Sequence, residues 1–189
     1  MTRQIADVLR WRDELWAIAD VRGSGYFDPA DQGIVVYWPC TACWRGFHAW
    51  YGIHANKLVL EAAFLGLFDA DRGPPDANVP ELTVETAPAL FGKQPVALQG
   101  FMGAPYFGLD AAVAFTGTLL VCRGFEYWAG YGRPWGSEYC VGFAFDAGLL
   151  TTVYHLTAAA AKARAQPTRA LGAASFDEEV ARKMDVSTR

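Results

Sequence analysis

Four cysteines, three histidines and two arginines that each precede Gly-Phe are the residues of this chain best equipped for chemistry. Cys40-x-x-Cys43 has the spacing of half a zinc site, and Cys122 and Cys140 could complete a tetrahedral set of thiolates. Against that, Cys122 and Cys140 each sit inside an apolar strand pattern, where a cysteine is usually a small buried hydrophobe. The same Cys-x-x-Cys is also the spacing of a redox dithiol, but no βαβ pattern surrounds it. Free thiols are the expectation. A Cys-His enzyme would take Cys43 as nucleophile, His48 or His54 as base, and Glu61 or Glu126 to orient the base. In an extended strand Cys43 and His48 point to opposite faces. There is no Gly-x-Ser-x-Gly elbow, and no helix starts after Cys43 to lower its pKa. His48, His54 and His155 form neither His-Glu-x-x-His nor His-x-His. No catalytic residue, metal or cofactor is assigned, and a non-enzyme is the expectation.

The arginines are more informative. Thr41-Ala42-Cys43-Trp44-Arg45-Gly46-Phe47 opens the most aromatic strand pattern, and Val121-Cys122-Arg123-Gly124-Phe125-Glu126-Tyr127-Trp128 echoes it. A guanidinium beside rings can stack on them and bond bidentately to a carboxylate. Arg45 and Arg123 therefore either pin Glu126 or Glu138 within the fold or reach an anionic group on a partner. Downstream, Tyr127, Trp128, Tyr131, Arg133 and Trp135 lie in a Gly- and Pro-punctuated loop that either caps the core or presents aromatic anchors to a partner. The candidate binding set is Arg45, Arg123, Glu126, Tyr127, Trp128, Tyr131, Arg133 and Trp135. Glu61, Glu126, Glu138 and Asp146 are the carboxylates that acid–base work would draw on, although a carboxylate beside an arginine is commonly a structural partner.

On the Thr41 to Phe47 stretch, the chain resembles a group of bacterial proteins of unassigned function that carry a Thr-Ala-Cys-Trp-Arg-Gly-aromatic motif. The resemblance extends over roughly residues 6–152, through an opening hairpin, the Lys57-Leu58-Val59-Leu60 strand and the Glu126-Tyr127…Gly130-Tyr131-Gly132 stretch. It implies a β-rich fold and supplies no catalytic residues. This chain departs from it by Pro-rich sequence around residues 71–88 and by an alanine-rich C-terminal part.

The totals narrow the classes. Of 189 residues, 52% are hydrophobic and 19% charged, a globular balance that excludes disorder. Formal net charge is -4, without the basic footprint that nucleic acid demands. The N-terminal residues lack the apolar core of a signal peptide, and no apolar run reaches membrane-spanning length. A cytoplasmic location, with neither nucleic acid nor membrane as partner, is the expectation.

The elements that must position these residues read mainly as strands. Val8–Trp11 and Leu15–Ala19 flank a polar triplet as a hairpin, and Ile34–Trp38 reads as a short strand. Cys43–Ile53 turns at His54–Lys57 into Leu58–Leu67. Residues 69–88 are loop, Ala89–Gly92 a helical turn, and Val96–Phe101 and Val113–Gly124 strands. Tyr139–Phe145 and Leu149–Tyr154 flank a three-residue turn, Asp146-Ala147-Gly148. Thr157–Ala165 is a helix capped by Thr157 and stopped by Pro167, and a second short helix starts from Ser175. The expected fold is mostly β. Antiparallel hairpins form a curved sheet or a sandwich- or barrel-like core, with one or two C-terminal helices, over a β-rich domain (1–166) and a helical extension (167–189).

The functional expectation is a protein-binding module, in its sharpest form a bacterial immunity-type protein that neutralises a toxin. The alternative is a small-molecule-binding protein or minor enzyme with a cavity lined by Trp44, Trp50, Tyr106 and Tyr127.

Overall fold

Three two-residue turns organise the chain. The computed structural model describes residues 4–38, 40–67, 83–98, 103–124 and 134–184. Strands β1 (Val8–Trp11) and β2 (Glu14–Ser24) meet at Trp11↔Glu14, with Arg12 and Asp13 at φ 53° and 61°. Strands β3 (Phe47–His54) and β4 (Lys57–Leu65) turn through Ala55 and Asn56 at φ 47° and 63°. Strands β7 (Tyr139–Asp146) and β8 (Leu149–His155) pair at Asp146↔Leu149, leaving Ala147 and Gly148 at φ 46° and 83°. Positive φ at both turn positions matches the right-handed twist of the flanking strands, and Arg12, Asp13, Ala55, Asn56 and Ala147 adopt it although it favours glycine or asparagine. The last turn is thus one residue shorter than the sequence suggested, because Asp146 joins the ladder.

Two more strands complete the set, β5 (Ala104–Ala112) and β6 (Thr116–Arg123). Strand order is β3-β1-β2-β6-β7-β8-β4-β5, and β3 also pairs with β4. The ladders of the first seven strands therefore return to their start, the connectivity of a closed β-barrel, and β5 adds to β4. The β1–β2, β2–β6, β4–β5, β4–β8, β6–β7 and β7–β8 ladders are antiparallel. The mostly β expectation holds, with two helices at the C-terminal end, α1 (Thr157–Arg164) and α2 (Arg169–Met184). No helix among the described residues is long and apolar enough to cross a membrane.

The chain divides into two compact units: residues 1–7, 27–52 and 59–112, and residues 8–26, 53–58 and 113–189. In the first unit Phe27 packs edge-on against Phe47 at 5.7 Å, and buried Tyr106 donates its hydroxyl to the Pro88 carbonyl at 2.7 Å. The second unit contains both helices. Strand β7 is buried from Cys140 to Phe145, so it must be covered on both faces. Phe143 packs with Trp11 and Phe145 with Phe115. Cys140, Cys122 and Leu120 instead join a buried cluster with Leu156, Ala160, Ala163, Phe176, Val180 and Met184. The helices thus cover one face of the β6–β7 ladder.

Several local expectations fail for identifiable reasons. Ile34–Trp38 forms no strand, although Tyr37 donates its amide to the Gly66 carbonyl at 2.6 Å. Ala89–Gly92 is no helical turn, since Leu90 and Lys93 bridge as a reverse turn around Phe91 at φ 48°. Val96–Leu98 form no strand either, and the rest of that expected strand lies outside the described residues. Ser175 lies inside α2, where Phe176 and Val180 bury an apolar stripe that extends the helix back to Arg169. Thr157 does not cap α1; its hydroxyl bonds to the Cys140 backbone of β7.

Candidate functional site

The Thr41 to Phe47 motif is a turn that leads into β3. Cys43 N donates to Cys40 O at 2.9 Å and Gly46 N to Cys43 O at 3.0 Å, two successive reverse turns. Gly46 sits at φ 81°, and a Cβ there would meet Val36 Cγ2 at 2.8 Å and Tyr37 O at 3.2 Å. Glycine is required by the backbone conformation and by the close passage of residues 36–37. Gly66 N then donates to Gly46 O at 2.8 Å. The N-terminal segment clamps the other side. Ile5 N donates to Ala42 O at 2.7 Å, Gln4 accepts from Trp44 N at 2.8 Å, and its amide donates to Thr41 O at 3.1 Å.

Asp7 is the hub of this arrangement. Its side chain is 3% exposed, and Oδ1 accepts from Arg45 Nη2 at 2.5 Å and from Ala49 N at 2.8 Å. A buried carboxylate is tolerable only with such partners. Arg45 also donates from Nε to Phe47 O at 3.3 Å and lies 4.2 Å over the Phe47 ring. Among the described residues its acidic partner is Asp7, and 43% of its side chain stays in solvent.

His48 lies beside the hub, with Nδ1 3.8 Å from Asp7 Oδ1. Its Nε2 accepts from Trp50 Nε1 at 2.7 Å, which assigns the ring proton to Nδ1. Burial lowers the His48 pKa first; Arg45 adds to that, while Asp7 opposes it. The ring is held neutral. Cys43, 3% exposed, donates its thiol to Phe47 O at 3.3 Å, and burial pushes its pKa up despite nearby Arg45. A nucleophile needs the thiolate and a base with a free nitrogen facing it. The Trp50 indole occupies the His48 nitrogen that carries the lone pair, and the Cys43 thiol is bonded to Phe47 O. Among the described residues, no three His, Cys, Asp or Glu side chains are grouped to hold a metal.

Beyond the hub, rings run across the strands. His48 and Trp50 contact Phe64 at 5.5 and 5.8 Å, and Phe64 contacts Phe107, which is 49% exposed. The motif turn itself exposes Trp44 at 58%, and Trp38, the residue after Tyr37, is exposed at 49%.

The echo has a different setting. Among the described residues Arg123 pairs with Glu14, and it lies 5.0 Å from the ring centres of both Trp16 and Tyr139. Glu126, Tyr127, Trp128, Tyr131 and Arg133 lie outside the described residues. Trp135 is partly buried against the helix-covered cluster, and its carbonyl accepts from Arg164 at 3.5 Å. Of the described candidates, Arg45 joins a hub of Asp7, His48 and Trp50 within the first unit, while Arg123 and Trp135 take part in the packing of the second unit. Asp7 was missed by sequence reasoning. The available signal was one carboxylate between Ile5-Ala6 and Val8-Leu9, an apolar setting in which an acid needs a partner.

No protein-family model, curated protein or solved structure matches this chain.

Proposed function

We propose that this chain is a protein-binding module whose contact surface is built on the motif turn of the first unit. The observation that carries the reading is the exposure of Trp38 and Trp44 on backbone tied down by Gln4, Gly46 and Gly66. Exposed tryptophan costs solvation without adding to the fold, and a pre-ordered indole loses little entropy on docking. Arg45, half in solvent beside Trp44, adds a cation whose orientation Asp7 already sets. The net charge of -4 suits a basic partner. An immunity-type role, the neutralisation of a bacterial toxin, is the sharper form of this reading and rests on that charge match. The cavity alternative finds less support, because Trp44 faces solvent and the Tyr106 hydroxyl is already bound to Pro88.

The test is capture from a lysate of the native host with tagged wild type and with Trp44→Ala and Trp38→Ala variants. One stoichiometric protein should be enriched by wild type and lost with the variants, while their stabilities stay within about 0.5 kcal/mol of wild type. Equal capture by wild type and variants would move the contact surface elsewhere. Trp135→Ala is a poorer probe, since that ring packs against the buried cluster and its loss lowers stability as well.

A further inference from the structure

Cys122 and Cys140 face each other across β6 and β7, and their backbone bonding makes the pairing chemically specific. Cys140 N donates to Thr157 Oγ1 at 3.2 Å, and Cys140 O accepts from Leu156 N at 3.0 Å. Both backbone groups of Cys140 thus point away from β6, so Cys122↔Cys140 is a non-hydrogen-bonded antiparallel pair. Such pairs hold their Cα atoms about 4.5 Å apart, at the short end of the range of about 4.4–6.8 Å that a disulfide spans. The sulfurs are 3.4 Å apart, and both thiols face the Pro134 carbonyl, at 2.9 Å from Cys140 Sγ and 3.7 Å from Cys122 Sγ.

We propose that Cys122 and Cys140 are a reversible dithiol–disulfide pair, oxidised by a small-molecule disulfide when the covering helices open. In the first step one cysteine thiolate, its proton released to water, attacks a sulfur of the reagent and expels one reagent thiolate, which takes up a proton. In the second, the other cysteine attacks the protein sulfur of the mixed disulfide and expels the second reagent thiolate. The protein loses two hydrogens and two electrons, and the reagent becomes two thiols. A bond at the short end of the span is strained and therefore readily reduced. That favours a switch over a permanent staple.

The helices control access. Cys122 and Cys140 are 1% and 0% exposed, in one buried cluster with Leu156, Ala160, Ala163, Phe176, Val180 and Met184. Helix α2 passes so close that a Cβ on Gly172 would meet Ala163 O at 2.5 Å and the Trp135 ring at 3.7 Å. The closed state also suppresses thiolate: the hydrogen bond between Cys122 and Cys140, in which the Cys122 thiol is the donor, followed by burial, holds the Cys122 thiol well above its usual pKa. Oxidation removes both S–H donors from the Pro134 carbonyl, which begins the 3-10 turn Pro134–Gly136 carrying Trp135. That turn, packed on the same cluster, is where the oxidation state would be felt.

The experiment incubates the native full chain with hydroxyethyl disulfide at mildly alkaline pH, then alkylates and maps the peptides by mass spectrometry. A Cys122–Cys140 cross-linked peptide, lighter by two hydrogens and reversed by dithiothreitol, is expected. Its formation should speed up about tenfold in Met184→Ala, as when local opening of a covering helix limits reaction. Circular dichroism and Cys140→Ser, which should yield no cross-link, guard against an unfolded background. Mixed disulfides without the cross-link, a cross-link seen only in denaturant, or a rate indifferent to Met184→Ala would each overturn the proposal.

Discussion

Arg45 and Arg123 share the local sequence Arg-Gly-Phe and end in different physical settings. Arg45 reaches a carboxylate that is 3% exposed and also bonds a backbone amide, so the pair is part of how β3 and the N-terminal segment hold together. Arg123 reaches Glu14, which is 45% exposed, across the outside of β2 and β6. Two arginines followed by the same Gly-Phe therefore differ in worth by the burial of the acid they find. An exposed pair contributes at most about 1 kcal/mol, whereas breaking a buried one strands a charge or an amide donor.

The largest expected effect comes from removing the hub. Asp7→Ala should cost about 3 kcal/mol, the low end for a buried pair because Arg45 can hydrate, and lower Tm by about 6–12 °C. Thermal unfolding measures it, and a loss near zero would erase the contrast between the two arginines. Gly46→Ala follows, at about 1–3 kcal/mol, because a side chain at φ 81° is strained and would press on Val36 and Tyr37. Chemical denaturation should show the loss with an unchanged slope.

His48 sharpens the comparison through pH. Its folded pKa lies below the usual 6.5, so below that value the unfolded chain binds the proton that the folded chain refuses. Its contribution to stability is complete above pH 6.5 and declines as pH falls toward the folded pKa, by at most about 1.4 kcal/mol per pH unit. His48→Phe should flatten that limb of the stability profile in urea titrations; an unchanged limb would assign the titration elsewhere. Smallest of all, Arg123→Ala or Glu14→Gln should change stability by less than about 1 kcal/mol, with the effect shrinking further in high salt.

Hairpins were legible because they depend on neighbours in sequence. The alternation around Arg12-Asp13 and the apolar runs flanking Asn56 and Gly148 located three strand pairs. Strand β5 was hidden: Gly108 and Asp110 sit at φ 62° and 45° within a bulge against β4, which breaks the alternation a strand displays. Ile34–Trp38 misled in the opposite sense, carrying β-branched residues without a ladder. The motif was legible as a centre but not in its chemistry, since Asp7 is distant in sequence and its role depends on the path of the chain. The Cys122–Cys140 pairing needed the β6–β7 register, which composition does not encode.

The central proposal is that the motif turn of the first unit meets a partner, whereas Arg123 and Tyr139 serve packing within the second unit. A photoreactive amino acid placed at position 44, and separately at Tyr139 beside Arg123, tests it in the native host. The account predicts one cross-linked protein species from position 44 and none from position 139. No adduct at 44, or the same adduct from both positions, would contradict it.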